Sequence, residues 1–332
     1  MKTNKTILVT GGCGFIGSHF VRMMLSNHPD WRVVNVDKLT YAGNPKNVAD
    51  VAKDPRYKFY KADIGNMRAM LSILKKEKVD TIVNFAAESD NNKAVGSPVD
   101  FAKTNVVGTG VLLEAARQTG VSRFHHISTC EVFGQLELDS KESFSEQSPY
   151  KPRTPYNASK AGADHLVMSY FHTYGLPVTI SYCANNYGSH QFPEKVFPVF
   201  TIKALLNKPL PVFQSSQNKR EWIDVSDHCS AIELILEKGV AGQSYAIGTG
   251  TEKSIAEVAD TVLRVLGKPA TLKKTIPDRP GHDTRYLLDS TKMRMLGWKP
   301  VTPWDDGIAK TIRWYRDNPS WWRPLLKKSH SW

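Results

Sequence analysis

A tyrosine and a lysine four residues apart, Tyr156-Asn157-Ala158-Ser159-Lys160, stand at the head of a helix-forming run. On a helix that spacing is one turn, so the ammonium lies beside the phenol and lowers its pKa. The tyrosine then becomes a base for a hydroxyl proton while a nicotinamide takes the hydride. The same letters recur from Tyr57 to Lys61, but in a β-forming run, where four residues cover about 13 Å and the two groups stay apart. Upstream, Ser128-Thr129-Cys130-Glu131-Val132-Phe133-Gly134 leaves a β-forming run at its carboxyl end, where open α/β sheets bind ligands. Thr129 offers a hydroxyl-binding group, Cys130 an acid and Glu131 a base. Taken singly, each is as readily a strand-end hydroxyl, a buried thiol and an exposed carboxylate.

A second constellation lies near the N-terminus, where Gly11-Gly12-Cys13-Gly14-Phe15-Ile16-Gly17 follows a β-forming run and opens a helical one. Gly11, Gly14 and Gly17 let the backbone turn tightly, approach a pyrophosphate and pack helix on strand, while the helix N-terminus offers N–H groups to the phosphate. Asp37 ends the next β-forming run, placed to bind a ribose and oppose a 2′-phosphate. The expected cofactor is therefore NAD rather than NADP. Asp63 stands after the third run, equally suited to an adenine edge or to solvent.

Positioning these groups requires a parallel sheet. Apolar, β-branched runs at Ile7 to Thr10, Arg32 to Asp37, Tyr57 to Lys61, Thr81 to Ala86, Arg123 to Ser128 and Val178 to Cys183 alternate with helical runs at Gly17 to Ser26, Asn66 to Glu77, Val106 to Thr119 and Ser159 to Tyr174. That alternation predicts a doubly wound, Rossmann-like α/β fold. After residue 184 the pattern gives way to shorter elements, with helices expected at Glu194 to Leu206, Asp227 to Leu236, Ile255 to Leu266 and Trp304 to Asn318. The expected division is a cofactor-binding part, 1–184, carrying the catalytic residues, and a smaller substrate-binding part, 185–332. Val225 to Leu236 and Ser244 to Ile247 are the segments that could return to the sheet.

The 332 residues, 41% of them hydrophobic, suffice for a large core without staples. The four cysteines, Cys13, Cys130, Cys183 and Cys229, show no zinc-ligand spacing, and no metal is expected. With no signal peptide and no membrane-length apolar run, a cytoplasmic location is expected. The net charge of +12 is spread over scattered lysines and arginines with no nucleic-acid motif, which favours an anionic small molecule over DNA, RNA or membrane as partner.

Read together, TGGCGFIGSH, NVDKLTYAGN, FAAES, STCEVFG, PYNASKAGADHLV, NNYG with FPEK, KREW and DRPGHD resemble the dTDP-glucose 4,6-dehydratases and their nucleotide-sugar dehydratase relatives, in order along nearly the whole chain. The resemblance implies NAD contacts from Phe15, Ile16, Asp37, Lys38, Leu39, Thr40, Asp63, Ile64, Phe85, Ala86, Ala87, Glu88, Ser89, Thr104, Tyr156, Lys160 and Asn186. It implies substrate contacts from Ser89, Thr129, Asn185, Lys195, Val196, Pro211, Val212, Phe213, Arg220, Asp278, Arg279, Pro280, Gly281 and His282. Arginines suit a diphosphate, because the guanidinium offers a planar fork of charged donors. The implied reaction oxidises C4 through Tyr156, removes the C5 proton through Glu131, expels the C6 hydroxyl with an acid at position 130 and returns the hydride to C6.

Three departures from the family pattern stand out: Cys130 for aspartate, Asp90-Asn91-Asn92-Lys93-Ala94 for HVDRS, and Ala246 for asparagine. A thiol is mostly protonated at neutral pH and can donate, though weakly. The second and third changes are expected near sugar and nucleotide, and they make a UDP-sugar such as UDP-GlcNAc a candidate beside dTDP-glucose. A UDP-GlcNAc 5,6-dehydratase, a UDP-sugar 4-epimerase and a UDP-glucuronate decarboxylase remain as alternative enzymes, and a non-enzymatic NAD-binding sensor as the other class. A homodimer is expected, with Leu112, Leu113, Ala116, Leu166, Val167 and Tyr170 as candidate contacts on two helices that pair with their symmetry mates.

Overall fold

A computed structural model describes residues 5–278 and 280–329. Its strands are β1 (Thr6–Thr10), β2 (Arg32–Asp37), β3 (Tyr57–Lys61), β4 (Thr81–Asn84), β5 (Arg123–Thr129), β6 (Val178–Cys183), β7 (Asn185–Tyr187), β8 (Leu210–Phe213), β9 (Lys219–Asp224), β10 (Gln243–Ile247), β11 (Glu252–Ser254) and β12 (Lys273–Ile276). Seven form one parallel sheet in the order β10-β6-β5-β4-β1-β2-β3. β1, β4 and β6 are buried at every position, so the middles of β1 and β4 run apolar without alternation, while β6 alternates because its Thr179 and Ser181 pair with the buried His125 of β5. Helices Met67–Glu77, Thr109–Thr119 and Pro155–Tyr174 cover one face, and helices Phe15–Asn27 and Val225–Lys238 the other. Large buried side chains such as Phe20, Met24 and Phe124 each contribute roughly 1.5–3 kcal/mol by leaving water.

The differences from the expected elements have local causes. β4 stops at Asn84 because Phe85 N turns to Thr10 O and Ala86 N to Thr10 Oγ1, which carries the chain out of the sheet. The helix expected from Ser159 begins at Pro155, since Thr154 caps it by accepting the Asn157 N–H and proline suits a first turn. The helix expected from Val106 is preceded by a π-helical stretch, Ala102–Gly108. Of the two segments considered for the sheet, Gln243–Ile247 joins it as β10 beside β6, whereas Val225–Lys238 is a helix packed against Phe15–Asn27.

The remaining chain forms a three-stranded sheet, β11-β9-β7, and a pair, β12-β8, which rest on clusters around Phe197, Trp222, Val258 and Ile308 and around Tyr315 and Trp322. Among the described residues no helix is long and apolar enough to cross a membrane. All four cysteines are buried and unbridged.

Candidate active site

The order of the central sheet reverses between β1 and β4, and a cleft of about 840 Å³ opens there, lined by residues that follow β1, β2, β3, β4, β5 and β6. Its volume is at the upper end of small-molecule sites, roughly 300–1,000 Å³. At one end Gly11 holds φ +67°, and a Cβ there would meet Ala86 N at 2.9 Å. A Cβ on Gly17 would meet Gly11 O at 2.4 Å, so the helix can approach the β1 turn only with glycine at that position. Gly14 caps the helix without a side-chain acceptor, and Gly14 to Gly17 line the cleft. This cradle of bare backbone at a helix N-terminus fits a pyrophosphate.

Asp37 lines the same end. Its Oδ2 accepts the Cys13 N–H at 3.0 Å and its Oδ1 the Leu39 N–H at 2.7 Å, leaving lone pairs for a ribose. Burial raises its carboxyl above the ordinary range, with the two amides opposing. Asp63 is paired with Lys38 at 2.6 Å, and both face the cleft. Of the residues expected to hold NAD, every one but Leu39 lines this cleft. Leu39 takes φ +57° and packs on the apolar cluster around Phe20 instead.

At the other end the sheet brings the reactive groups together. β5 delivers Thr129, whose Oγ1 accepts the Glu131 N–H at 3.3 Å and caps a single 3₁₀ turn, Cys130–Phe133. Thr129, Cys130, Glu131, Tyr156 and Lys160 all line the cleft. Burial pushes the Cys130 thiol well above its ordinary range and the neighbouring Glu131 adds to this, so the group carries its proton. The Tyr156 phenol is likewise raised, by burial first and then by Glu131, against a hydrogen bond from Thr129. Lys160 Nζ donates to Ile127 O at 2.7 Å and lies 3.3 Å from His126 Nε2; burial lowers its pKa.

Among the substrate residues, Ser89, Asn185, Lys195, Val196, Pro211, Phe213, Arg220 and His282 also line the cleft. Val212 does not: strand alternation turns it into the core between Pro211 and Phe213. Asp278, Pro280 and Gly281 are absent from the cleft wall, with Asp278 Oδ1 accepting the Ser215 N–H and hydroxyl. Arg279 lies outside the described residues. The Arg220 guanidinium donates to the carbonyls of Lys219, Asp283 and Thr284 and stacks 4.6 Å over Tyr286.

The departures divide. Asp90, Asn91 and Asn92 line the cleft, while Lys93 pairs with Glu88 at 2.9 Å and Ala94 is buried. Ala246 sits in β10 within the core, away from the cleft wall, because the edge strand points it into the sheet's packed face. Asn91 belongs to the run expected near the sugar and nucleotide, but nothing in the sequence assigns it a role of its own. Its Nδ2 donates to Glu131 Oε2 and its Oδ1 accepts from Thr154 Oγ1, both at 3.2 Å, which ties the candidate base to the cap of the Tyr156 helix. Asn105 escaped sequence reasoning; from the π-helical stretch it clamps the Glu88 backbone N–H and C=O and donates to Ser159 Oγ. Nothing local in the sequence marks that clamp.

Residues 8–311 match the family model described as GDP-mannose 4,6 dehydratase. The chain is 43% identical to the dTDP-glucose 4,6-dehydratase of Neisseria meningitidis serogroup B, over 98% of this chain and 97% of the relative. It is 45% identical to a solved dTDP-glucose 4,6-dehydratase from Streptomyces venezuelae with NAD bound, with a TM-score of 0.93 over 96% of this chain and 99% of that one. A UDP-glucose 4-epimerase from Thermotoga maritima superposes with a TM-score of 0.87 at 29% identity, over 95% of this chain and 99% of that one.

Proposed function

We infer the activity from one premise: the chain belongs to the GDP-mannose 4,6 dehydratase family, and it is an NAD-dependent nucleotide-sugar 4,6-dehydratase. One observation carries the reading to its residues. Glu131 and the proton-bearing Cys130 share a cleft wall with Tyr156 and Lys160, so an oxidising pair and an eliminating pair face one space. An epimerase or a decarboxylase needs only the first.

In this reading Gly11, Gly14, Gly17 and Asp37 hold the dinucleotide, which supplies the acceptor for the C4 hydride and returns that hydride at C6. Tyr156 takes the C4 hydroxyl proton, with Thr129 positioning the hydroxyl and the Lys160 ammonium favouring tyrosinate. The ketone acidifies C5, Glu131 removes the C5 proton, and Cys130 protonates the departing C6 hydroxyl as water. Glu131 returns a proton to C5 as the hydride arrives at C6. Tyr156 then holds a proton and position 130 lacks one, so each turnover requires a proton to pass back to the thiol.

The identities of 43% and 45% to dTDP-glucose dehydratases support dTDP-glucose as substrate. Mass spectrometry on dTDP-glucose, UDP-GlcNAc and UDP-glucuronate tests this. Loss of water from the first is expected; loss of carbon dioxide from the third, or a stereoisomer of unchanged mass, would overturn it.

We also infer a homodimer and a cytoplasmic location, the latter supported by the unbridged cysteines. Of the contacts expected from sequence, Leu112, Leu113, Ala116 and Val167 are wholly buried in the chain's own core, because they face the sheet. Among the described residues, the exposed apolar side chains near these helices include Val95, Val99, Val107 and Tyr174, each more than half exposed. Light scattering should give twice the chain mass at micromolar concentration, and Val107→Glu should shift it toward monomer.

A further inference from the structure

Tyr156, Lys160 and Asp164 recur every four residues along the helix Pro155–Tyr174, so one face carries a phenol, an ammonium and a carboxyl in a row. Lys160 and Asp164 are both buried, the second completely. Asp164 Oδ2 accepts from Ser128 Oγ at 2.6 Å and from Tyr150 Oη at 3.3 Å, and Tyr150 Oη in turn meets Tyr182 Oη at 2.5 Å. Asp164 Oδ1 has no hydrogen-bond partner among the described residues, and it lies 3.5 Å from His126 Nε2.

The His126 ring is fixed from behind. Thr10 Oγ1 accepts the Ala86 N–H and donates to Asn84 Oδ1, leaving Asn84 Nδ2 to donate to His126 Nδ1 at 3.2 Å. The ring's other nitrogen, Nε2, is turned toward Asp164 Oδ1 at 3.5 Å and Lys160 Nζ at 3.3 Å. The surrounding titratable groups are uncharged. Burial keeps His125 and His126 on β5 below their ordinary range, and it keeps Cys183 and Tyr182 on β6 and Tyr150 before the helix above theirs. Cys130 and Glu131 face Tyr156 rather than Asp164. Lys160 and Asp164 are thus left to offset each other. Burial drives the lysine toward its neutral form and Asp164 opposes this; burial raises the Asp164 carboxyl to about 7, against Lys160 and the hydrogen bonds from Ser128 and Tyr150, so its negative charge is complete only above neutral pH.

We propose that Asp164 is the counter-charge that keeps Lys160 an ammonium, and that it is thereby a positioning residue for the Tyr156–Lys160 pair, set one further helical turn behind it. The proposal rests on the dehydratase reading for the reaction it serves. Without its carboxylate a buried lysine loses its proton, and Tyr156 loses the positive charge one turn away, ~6 Å, for a relief of negative charge two turns away, ~12 Å. The nearer charge counts about twice as much, so tyrosinate becomes harder to form.

Asp164→Asn removes the charge while keeping the shape and the partners Ser128 and Tyr150. Two readouts are taken on the NAD-loaded protein. The first is the ultraviolet titration of Tyr156 itself, as the difference between a protein and its Tyr156→Phe counterpart. The tyrosinate midpoint should rise by about one pH unit. The second is the pH profile of kcat, whose acid limb should move up by the same amount: turnover at neutral pH falls ~10-fold, recovers about one pH unit higher, and KM holds. A midpoint that stays or falls, or a loss of activity uniform in pH, overturns the proposal. If Asp164→Asn does not fold, Ser128→Ala removes the 2.6 Å hydrogen bond that favours the carboxylate. It should move both readouts in the same direction by less, and unmoved readouts refute the idea. Should the parent protein yield no 4-keto product from any nucleotide sugar, the dehydratase reading fails, while the tyrosinate titration still decides the role of Asp164.

Discussion

Replacing Cys130 with alanine separates the two halves of the reaction. The thiol is 1% exposed and lines the cleft beside Glu131. An ordinary thiol, with a pKa near ~8.5, is about 97% protonated at pH 7; burial and the adjacent carboxylate raise this one further, so nearly every molecule carries the proton. Its removal should slow elimination by ~100-fold or more, the usual loss for a general acid. Tyr156 and Lys160 are untouched, so oxidation at C4 proceeds and the near-ultraviolet absorbance of reduced nicotinamide accumulates in a single turnover. The missing sulfur costs about 1–2 kcal/mol of stability, so rates should be measured well below the melting temperature. Cys130→Asp should retain more activity than Cys130→Ala, because the same burial and the same Glu131 hold a carboxyl there in its proton-bearing form. Conversion by Cys130→Ala at the parental rate, with no build-up of absorbance, would refute the assignment of the thiol as the acid.

Gly17→Ala should abolish NAD retention and cost ~1–3 kcal/mol in a melting experiment, since its Cβ would stand 2.4 Å from Gly11 O. Asp37→Ser should weaken NAD and narrow its margin over NADP in equilibrium binding; an unchanged preference would contradict the ribose assignment. For Glu77, burial raises the carboxyl, but hydrogen bonds from Lys58, Tyr60 and Arg32 outweigh it and bring the pKa down to about 2. A depressed carboxyl contributes stability that is complete above its unfolded pKa, about 4.5, and is lost as pH falls through about 2. Glu77→Gln should therefore lower stability by ~1–3 kcal/mol at pH 7 in urea unfolding, with the difference closing in acid.

The residues that declare themselves in sequence do so because local geometry alone imposes them. Gly11 is required by its positive φ in the turn, Gly17 by backbone contact with Gly11 within that turn, and Asp37 by the end of the strand beside it. Tyr156 and Lys160 are legible because four residues make one helical turn. The alternation of apolar runs with helical ones also suffices for six of the seven strands of the central sheet; β10 is only one of two segments whose sequence fits a return to it, because a short edge strand carries too few residues to be told from its neighbours. Other properties belong to the packed molecule. Val212 and Ala246 read as cleft residues from their motifs, yet pleat and register turn both into the core. Asn91 reaches Glu131 across 40 residues of chain, and His126 meets Asp164 only where β5 runs beneath the helix. The i+4 step from Lys160 to Asp164 was visible in the letters, but spacing cannot say that both groups are withdrawn from water, and it is the loss of solvent that makes each charge depend on the other.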